Sequence, residues 1–425
     1  MGAGHFTEIS RLTTWQKQHY KRQIQLRDPL FTDNLWPQTG DVVMADIPQS
    51  RVIPIRRKLA YASFTLCIFM LAAELTTRVL VEDLSGDSRF RQINEIVLFL
   101  GTNRADLMFE YDPERFWKLR PGVHIDDPEN TVWQGFVSNS LGYRSPEFDL
   151  LKPPGTIRIV CFGDSSTFGI GAEMEDSWPA LLEDQLNDRG EQRFQVINAG
   201  VPGYTSHQGF LHMRQEVDRL QPDIVFASYA NNDFWRWGNR TDEQHARRFD
   251  SSSLHSRLMH SRLLQVVDQF ARPKAERTAS AWAQSTTFNY VSPNESWVPR
   301  VPLEQFESNI DGMCDLCESR SIPMALVLWP DQPQAAGQWS PRIEYQNSLK
   351  KVAAKRGVEQ ADVVSIFQRN RELAVQSYVP NDIVHVDRNG NRLAALAASQ
   401  AAGKCVEALQ RKFEQDQSTI LAELD

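Results

Sequence analysis

The chain has 425 residues, 41% hydrophobic and 24% charged, which suits one large domain with additional segments. A formal net charge of −8 gives no basic footprint for nucleic acid. Its five cysteines sit in apolar surroundings and form no disulfide framework, and no His/Cys/Glu cluster has metal-ligand spacing.

Residues 1–58 are polar and mixed, read as a tail ending in Arg56-Arg57-Lys58. From Leu59 to Ala73 there is no charge. After Glu74 the apolar character resumes through Val81, so 59–81 is predicted to be a transmembrane anchor helix. Glu74 and Arg78, four apart, pair and reach toward headgroups. The basic cluster would keep the N-terminus in the cytoplasm and put the rest of the chain outside it. A buried amphipathic helix in a soluble cytoplasmic protein is the alternative.

Residues 88–154 carry turn signals and aromatics and are expected to pack on the main domain. Strands are then predicted at 157–162, 194–198, 223–229, 324–329 and 361–364. Helices are predicted near 177–189, 206–220, 341–356 and 388–412, with a tail at 413–425. Such alternation predicts an α/β fold, a three-layer α/β/α sandwich around a central parallel sheet. An insertion at about 234–300, with Trp235, Trp237 and Trp282, reads as a lid, a specificity loop or a structural cap. Cys314 and Cys317 have C-x-x-C spacing but share a helical stripe with Phe306, Ile310 and Met313, and so are expected in the core.

The run Ile157–Phe162 leads straight into Gly163-Asp164-Ser165-Ser166, placing a serine between a strand end and a helix start. Three further blocks follow in order: Asn198-Ala199-Gly200-Val201-Pro202-Gly203, Asn231-Asn232-Asp233 and Asp382-Ile383-Val384-His385. At these four blocks the chain resembles the SGNH (GDSL) hydrolases, from about Gly155 to about Leu409. The resemblance implies a flavodoxin-like hydrolase domain over 155–412. Many bacterial members are similar in having a basic flank and an apolar helix before an extracytoplasmic hydrolase.

A serine hydroxyl is a weak nucleophile until a neighbouring base takes its proton. Ser165 is therefore the expected nucleophile, His385 its base, and Asp382 the group that orients His385. The backbone N–H of Ser165, the backbone N–H of Gly203 and the side-chain amide of Asn232 are the expected oxyanion donors. Glycine at 203 leaves room for substrate to approach the backbone. Asn232 has the family position, although Ala230 and Asn231 precede it where glycine is common. Asp164 and Asp233 are expected to anchor their own turns, and His207 and His212 to lie on the surface or in packing. A second D-x-x-H, Asp242 to His245, lies in the insertion without a following helix and is expected to be solvated surface.

The expected reaction is hydrolysis of a carboxylic ester through an acyl-serine, needing no metal and no cofactor. Its substrate would be an O-acetyl group on a polysaccharide or a lipid ester. The alternatives are an O-acyltransferase using the same triad and an inactive membrane-tethered binding module.

Overall fold

In this computed structural model the described residues are 54–80, 105–125, 135–188, 190, 192–238, 240–249, 258, 261–271 and 297–424. Most of the predicted tail, the start of the lead-in and the middle of the insertion, with Trp282, lie outside them. The chain divides into two compact units, Met1–Thr65 and Leu66–Asp425. In the first, the described residues are those from Pro54 to Thr65, at the start of helix α1 (Ile55–Leu80). Helix α1 begins right after Pro54, whose carbonyl accepts from the N–H groups of Arg57 and Lys58. The basic triplet therefore belongs to the helix's first turn rather than to a tail.

The second unit opens with a short helix α2 (Ala105–Met108) and an antiparallel hairpin, β1 (Phe109–Asp112) and β2 (Phe116–Leu119). A second small pair follows, β3 (His124–Ile125) with β4 (Phe136–Val137). The main sheet is built from β5 (Thr156–Gly163), β6 (Arg193–Gly200), β7 (Ile224–Ser228), β10 (Met324–Leu328) and β11 (Glu359–Asp362). Its order is β11-β10-β7-β5-β6, and every pairing is parallel. This is the 2-1-3-4-5 arrangement of a doubly wound sheet, whose switch point falls between the first and third strands in sequence. Here those strands are β5 and β7.

The strands read as unbroken apolar runs because both faces are covered. On β5, Val160 and Phe162 face one core and Ile159 and Cys161 the other, the period of two that an extended chain imposes. One face packs on α5 (Ser206–Leu220), α8 (Leu303–Glu318) and α10 (Arg342–Arg356) through Met213, Val217, Phe306, Ile310 and Leu349. Cys314 and Cys317 are buried in this layer as expected, and burial pushes the Cys314 thiol up to about 11. The opposite face packs on α4 (Trp178–Asn187), α9 (Gln332–Ala335), α11 (Val363–Arg369), α12 (Arg371–Gln376) and α13 (Arg388–Leu424), where alanines such as Ala394, Ala398 and Ala401 let α13 lie close. The result is the expected α/β/α sandwich.

Two boundaries differ from expectation. Val363 and Val364 open α11 instead of extending β11, because the Asp362 carboxylate accepts from the Ser365 N–H and caps the helix there. Residues 413–424 continue α13 rather than forming a tail, since no proline or glycine interrupts them. Within the insertion lie β8 (Arg236–Gly238), α6 (Asp242–Phe249), α7 (Arg262–Ala271) and β9 (Val298–Pro299). Glu74, near the end of α1, accepts from Ser261 Oγ and from the N–H groups of Arg262 and Leu263, and so caps α7 from a distant part of the chain.

Candidate active site

Three central strands stop level with one another: Gly163 at the end of β5 pairs with Gly200 on β6 and with Ser228 on β7. Their following loops therefore converge on one crevice at the switch point. Directly after β5 comes a single helical turn, α3 (Ser165–Phe168), earlier than the helix expected near 177. Asp164 caps it, accepting from the Ser166 N–H at 2.9 Å and Ser166 Oγ at 2.5 Å. Gly200 allows the turn to sit over the strand ends, because a Cβ there would meet the Phe168 nitrogen at 2.3 Å. Ser165 thus occupies the first position of a helical turn, with its N–H at the positive end of the turn.

His385 comes to this serine from the far end of the chain. Its Nε2 lies 2.7 Å from Ser165 Oγ, and its Nδ1 lies 2.5 Å from Asp382 Oδ2. The other oxygen, Asp382 Oδ1, accepts from the N–H groups of Val384 at 2.7 Å and His385 at 3.0 Å. The D-x-x-H spacing is thus closed by a turn in which the aspartate holds both the backbone and the ring. An ionised carboxylate only accepts, so the imidazole proton sits on Nδ1 and Nε2 is left as the acceptor facing Ser165. Burial would raise the Asp382 pKa, but the His385 ring and the bonds it receives outweigh that, and it lies below the ordinary carboxylate value. Ser165 and His385 are 4% and 6% exposed, so the Ser165–His385–Asp382 hydrogen bonds lie away from bulk water.

The expected oxyanion donors converge on the same crevice. After β6, Val201 to Tyr204 forms a turn closed by a 3.2 Å bond from the Tyr204 N–H to the Val201 carbonyl. Proline at its second position and glycine at its third, with a Gly203 φ of 80°, match a type II turn. Among the described residues, no acceptor takes the N–H of Ser165 or of Gly203. After β7, Asn232 Nδ2 donates to the Tyr204 carbonyl at 2.9 Å and lies 3.5 Å from Asp164 Oδ2, bridging the serine turn and the glycine turn. Asn231 instead donates to Ser166 Oγ at 3.0 Å. Ala230, where the resemblance favours glycine, holds a φ of 111°. That left-handed backbone is the cost of the alanine.

Asp233 anchors its loop by accepting from the Ala230 N–H at 3.1 Å, and also takes the Ser206 N–H at the start of α5 at 2.8 Å. Burial pushes its pKa up to about 7. His212 is a packing residue, edge-on to Phe162 and Tyr204, and His207 stacks on Phe116. Asp242 departs from expectation. Rather than solvated, it is buried and paired with Arg300, whose Nη2 lies 2.9 Å from its Oδ2, and it accepts from Thr205 Oγ1 at 2.8 Å. Arg300, which the sequence reading missed, donates to the Gly203 carbonyl at 2.7 Å. Trp117, also missed, donates from Nε1 to the Pro202 carbonyl at 3.0 Å. Neither has a spacing signal, since each reaches the turn from across about 85 residues or more of chain.

An arylesterase of Vibrio mimicus is 36% identical over 76 residues, 18% of this chain and 38% of that protein. The thioesterase 1/protease 1/lysophospholipase L1 of Escherichia coli is 32% identical over 75 residues, 18% of this chain and 34% of that one. The matched stretch thus spans little more than a third of these curated relatives. Among solved structures, the lipase/acylhydrolase of Enterococcus faecalis is 18% identical, with 57% of this chain and 94% of that chain covered and a TM-score of 0.36. The sequence profile of the GDSL-like lipase/acylhydrolase family matches residues 161–393, from the strand before Ser165 to beyond His385. More than half of the chain lies within that match, and the chain belongs to the GDSL-like lipase/acylhydrolase family.

Proposed function

We propose that this protein hydrolyses a carboxylic ester through an acyl-serine intermediate. The observation that carries the reading is the unbroken relay from Asp382 through His385 to Ser165 Oγ, with unpartnered N–H groups beside it. Ser165 Oγ attacks the ester carbonyl while His385 Nε2 takes its proton. The carbonyl oxygen becomes an oxyanion facing the N–H groups of Ser165 and Gly203. The Asn232 amide joins through the hydrogen not given to the Tyr204 carbonyl, since Asp164 Oδ2 holds that hydrogen only weakly, at 3.5 Å from Nδ2. As the tetrahedral adduct collapses, His385 gives the proton to the departing alkoxide, which leaves as the alcohol. Water then enters and attacks the acyl-serine while His385 takes one of its protons. As this second adduct collapses, His385 returns the proton to Ser165 Oγ, the acid leaves and Ser165 is restored. Asp382 stays ionised throughout and stabilises the charged imidazole.

An arylesterase among the relatives makes a short-chain aryl ester the natural probe. Wild-type protein should release the phenol, and Ser165→Ala should reduce the rate by a factor of about 10⁴ or more. Equal rates in the two would sink the serine assignment. Activity absent from both would favour an acyltransferase that needs its acceptor, or a binding module.

We also propose that α1 anchors the chain in a membrane, with the hydrolase domain outside the cytoplasm. The support is a 26-residue helix containing an 18-residue window of mean hydropathy 1.7, with an exposed apolar surface and a basic first turn. An extracytoplasmic location suits an ester on an envelope polysaccharide or a lipid.

A further inference from the structure

We propose that Trp117 is a positioning residue for the oxyanion site, and that the hairpin β1–β2 carrying it is part of the catalytic apparatus. This inference rests on the acyl-serine reading above. In a trans peptide the N–H and the carbonyl point in opposite directions. The Pro202–Gly203 peptide therefore turns the Gly203 N–H toward the oxyanion and the Pro202 carbonyl away from it. Trp117 Nε1 donates to that carbonyl at 3.0 Å and so fixes the rotation of the peptide whose N–H does the work. A hydrogen bond to the carbonyl also polarises the peptide and strengthens the N–H as a donor.

The indole is itself held. It is wholly buried, and a Cβ on Gly203 would lie 3.1 Å from its Cζ2, so the ring backs directly onto the glycine. Tyr204 stands edge-on to the ring at 5.7 Å, and its hydroxyl donates to the Trp117 carbonyl at 2.5 Å. The next carbonyls of the turn are fixed from other directions: Gly203 by Arg300 at 2.7 Å and Tyr204 by Asn232 at 2.9 Å. Three successive carbonyls thus accept from three separate segments. Trp117 lies outside the family match at 161–393, which makes its contribution a feature of this chain's own lead-in.

A donor that swings off line loses stabilisation of the transition state while leaving ground-state binding intact. In the full chain, Trp117→Phe keeps most of the ring and removes the N–H. It should lower kcat about 10- to 100-fold, with KM changed by no more than about two-fold. Inhibition by an arylboronic acid, whose serine adduct is tetrahedral and anionic, should weaken in step with kcat. Inhibition by the carboxylate product should stay as in wild type. A folded Trp117→Phe with wild-type kcat and boronate affinity overturns the proposal. Should that variant fail to fold, Tyr204→Phe removes the bond that steadies Trp117. It is expected to lower kcat and boronate affinity together, and unchanged values there overturn the proposal equally. Ser165→Ala run in parallel separates the levels. Activity that survives it defeats the acyl-serine reading itself, whereas activity lost with Trp117→Phe unimpaired defeats the positioning role alone.

Discussion

Two aspartates in the crevice have their pKa values driven in opposite directions by their surroundings. Asp382 lies below its ordinary value: burial opposes ionisation, but the His385 ring and two backbone N–H groups overcome it. Its stabilising contribution is complete above the unfolded carboxylate pKa and is lost as pH falls through the folded value. Asp233 has a folded pKa of about 7, raised chiefly by burial although Ser206 and Ala230 donate to it. For an acid with a raised pKa the sign reverses. Below about pH 4 both states hold the proton and nothing is lost. Between about pH 4 and 7 the unfolded chain releases its proton while the folded chain retains it, so stability falls as pH rises. Asp233→Asn removes that dependence. The difference in melting temperature, variant minus wild type, should therefore climb from pH 4 to pH 7 and level off above. A difference that stays flat across this window would show that Asp233 ionises in place.

At the scale of elements, the lead-in braces the site instead of merely linking to it. Phe136 packs on Phe168 with ring centroids 4.8 Å apart, the Arg144 guanidinium lies 4.3 Å from the same ring, and Ser145 Oγ accepts from the Asn198 N–H at 2.9 Å. With Trp117, these contacts tie the hairpin region to the serine turn and the glycine turn alike. That this region packs on the main domain was legible in the sequence; which of its residues reach the site was not. The parallel sheet was legible, because buried strands write themselves as local apolar runs. Ser165, His385, Asp382, Gly203 and Asn232 were found through local blocks, whereas Trp117, Arg300 and Asp242 act across long separations. The charged Asp242 read as surface because the partner that permits its burial lies 58 residues away. Helix α13 offers a test of the boundary the sequence misjudged. Its buried residues run from Gly390 to Cys405, with Leu409 partly covered, while Phe413 is 64% exposed. Beyond Lys412, Phe413, Glu414, Gln415, Gln417 and Ser418 are all exposed, so ending the chain there should cost little. Melting temperature and ester hydrolysis should both match the full chain. A fall of several degrees would mean that the last turns of α13 hold something in place.

For the molecule as a whole, the decisive feature is the apolar surface of α1. Leu59, Phe64, Leu66, Phe69 and Leu71 are each more than half exposed, and no residue of the helix is fully buried. A contiguous apolar surface of that kind in water is a strong drive toward lipid or a partner. The 26 residues rise about 39 Å at 1.5 Å each, more than a hydrocarbon core of about 30 Å. The uncharged run from Leu59 to Ala73 is shorter, about 22 Å, so in the proposed membrane arrangement Arg56, Arg57 and Lys58 at one end and Arg78 at the other would have to extend to the headgroups. Glu74 is occupied twice, by Arg78 at 2.7 Å and by the cap of α7, which ties the end of the helix to the insertion. An anchored chain should remain in membranes after an alkaline carbonate wash. Protease added to the extracytoplasmic side should destroy the ester-hydrolysing activity. Deleting residues 1–73 should release active enzyme into the soluble fraction. Full-length protein recovered in the carbonate supernatant would mean that α1 is covered by protein instead of lipid. Activity protected from external protease would reverse the orientation that the basic first turn implies.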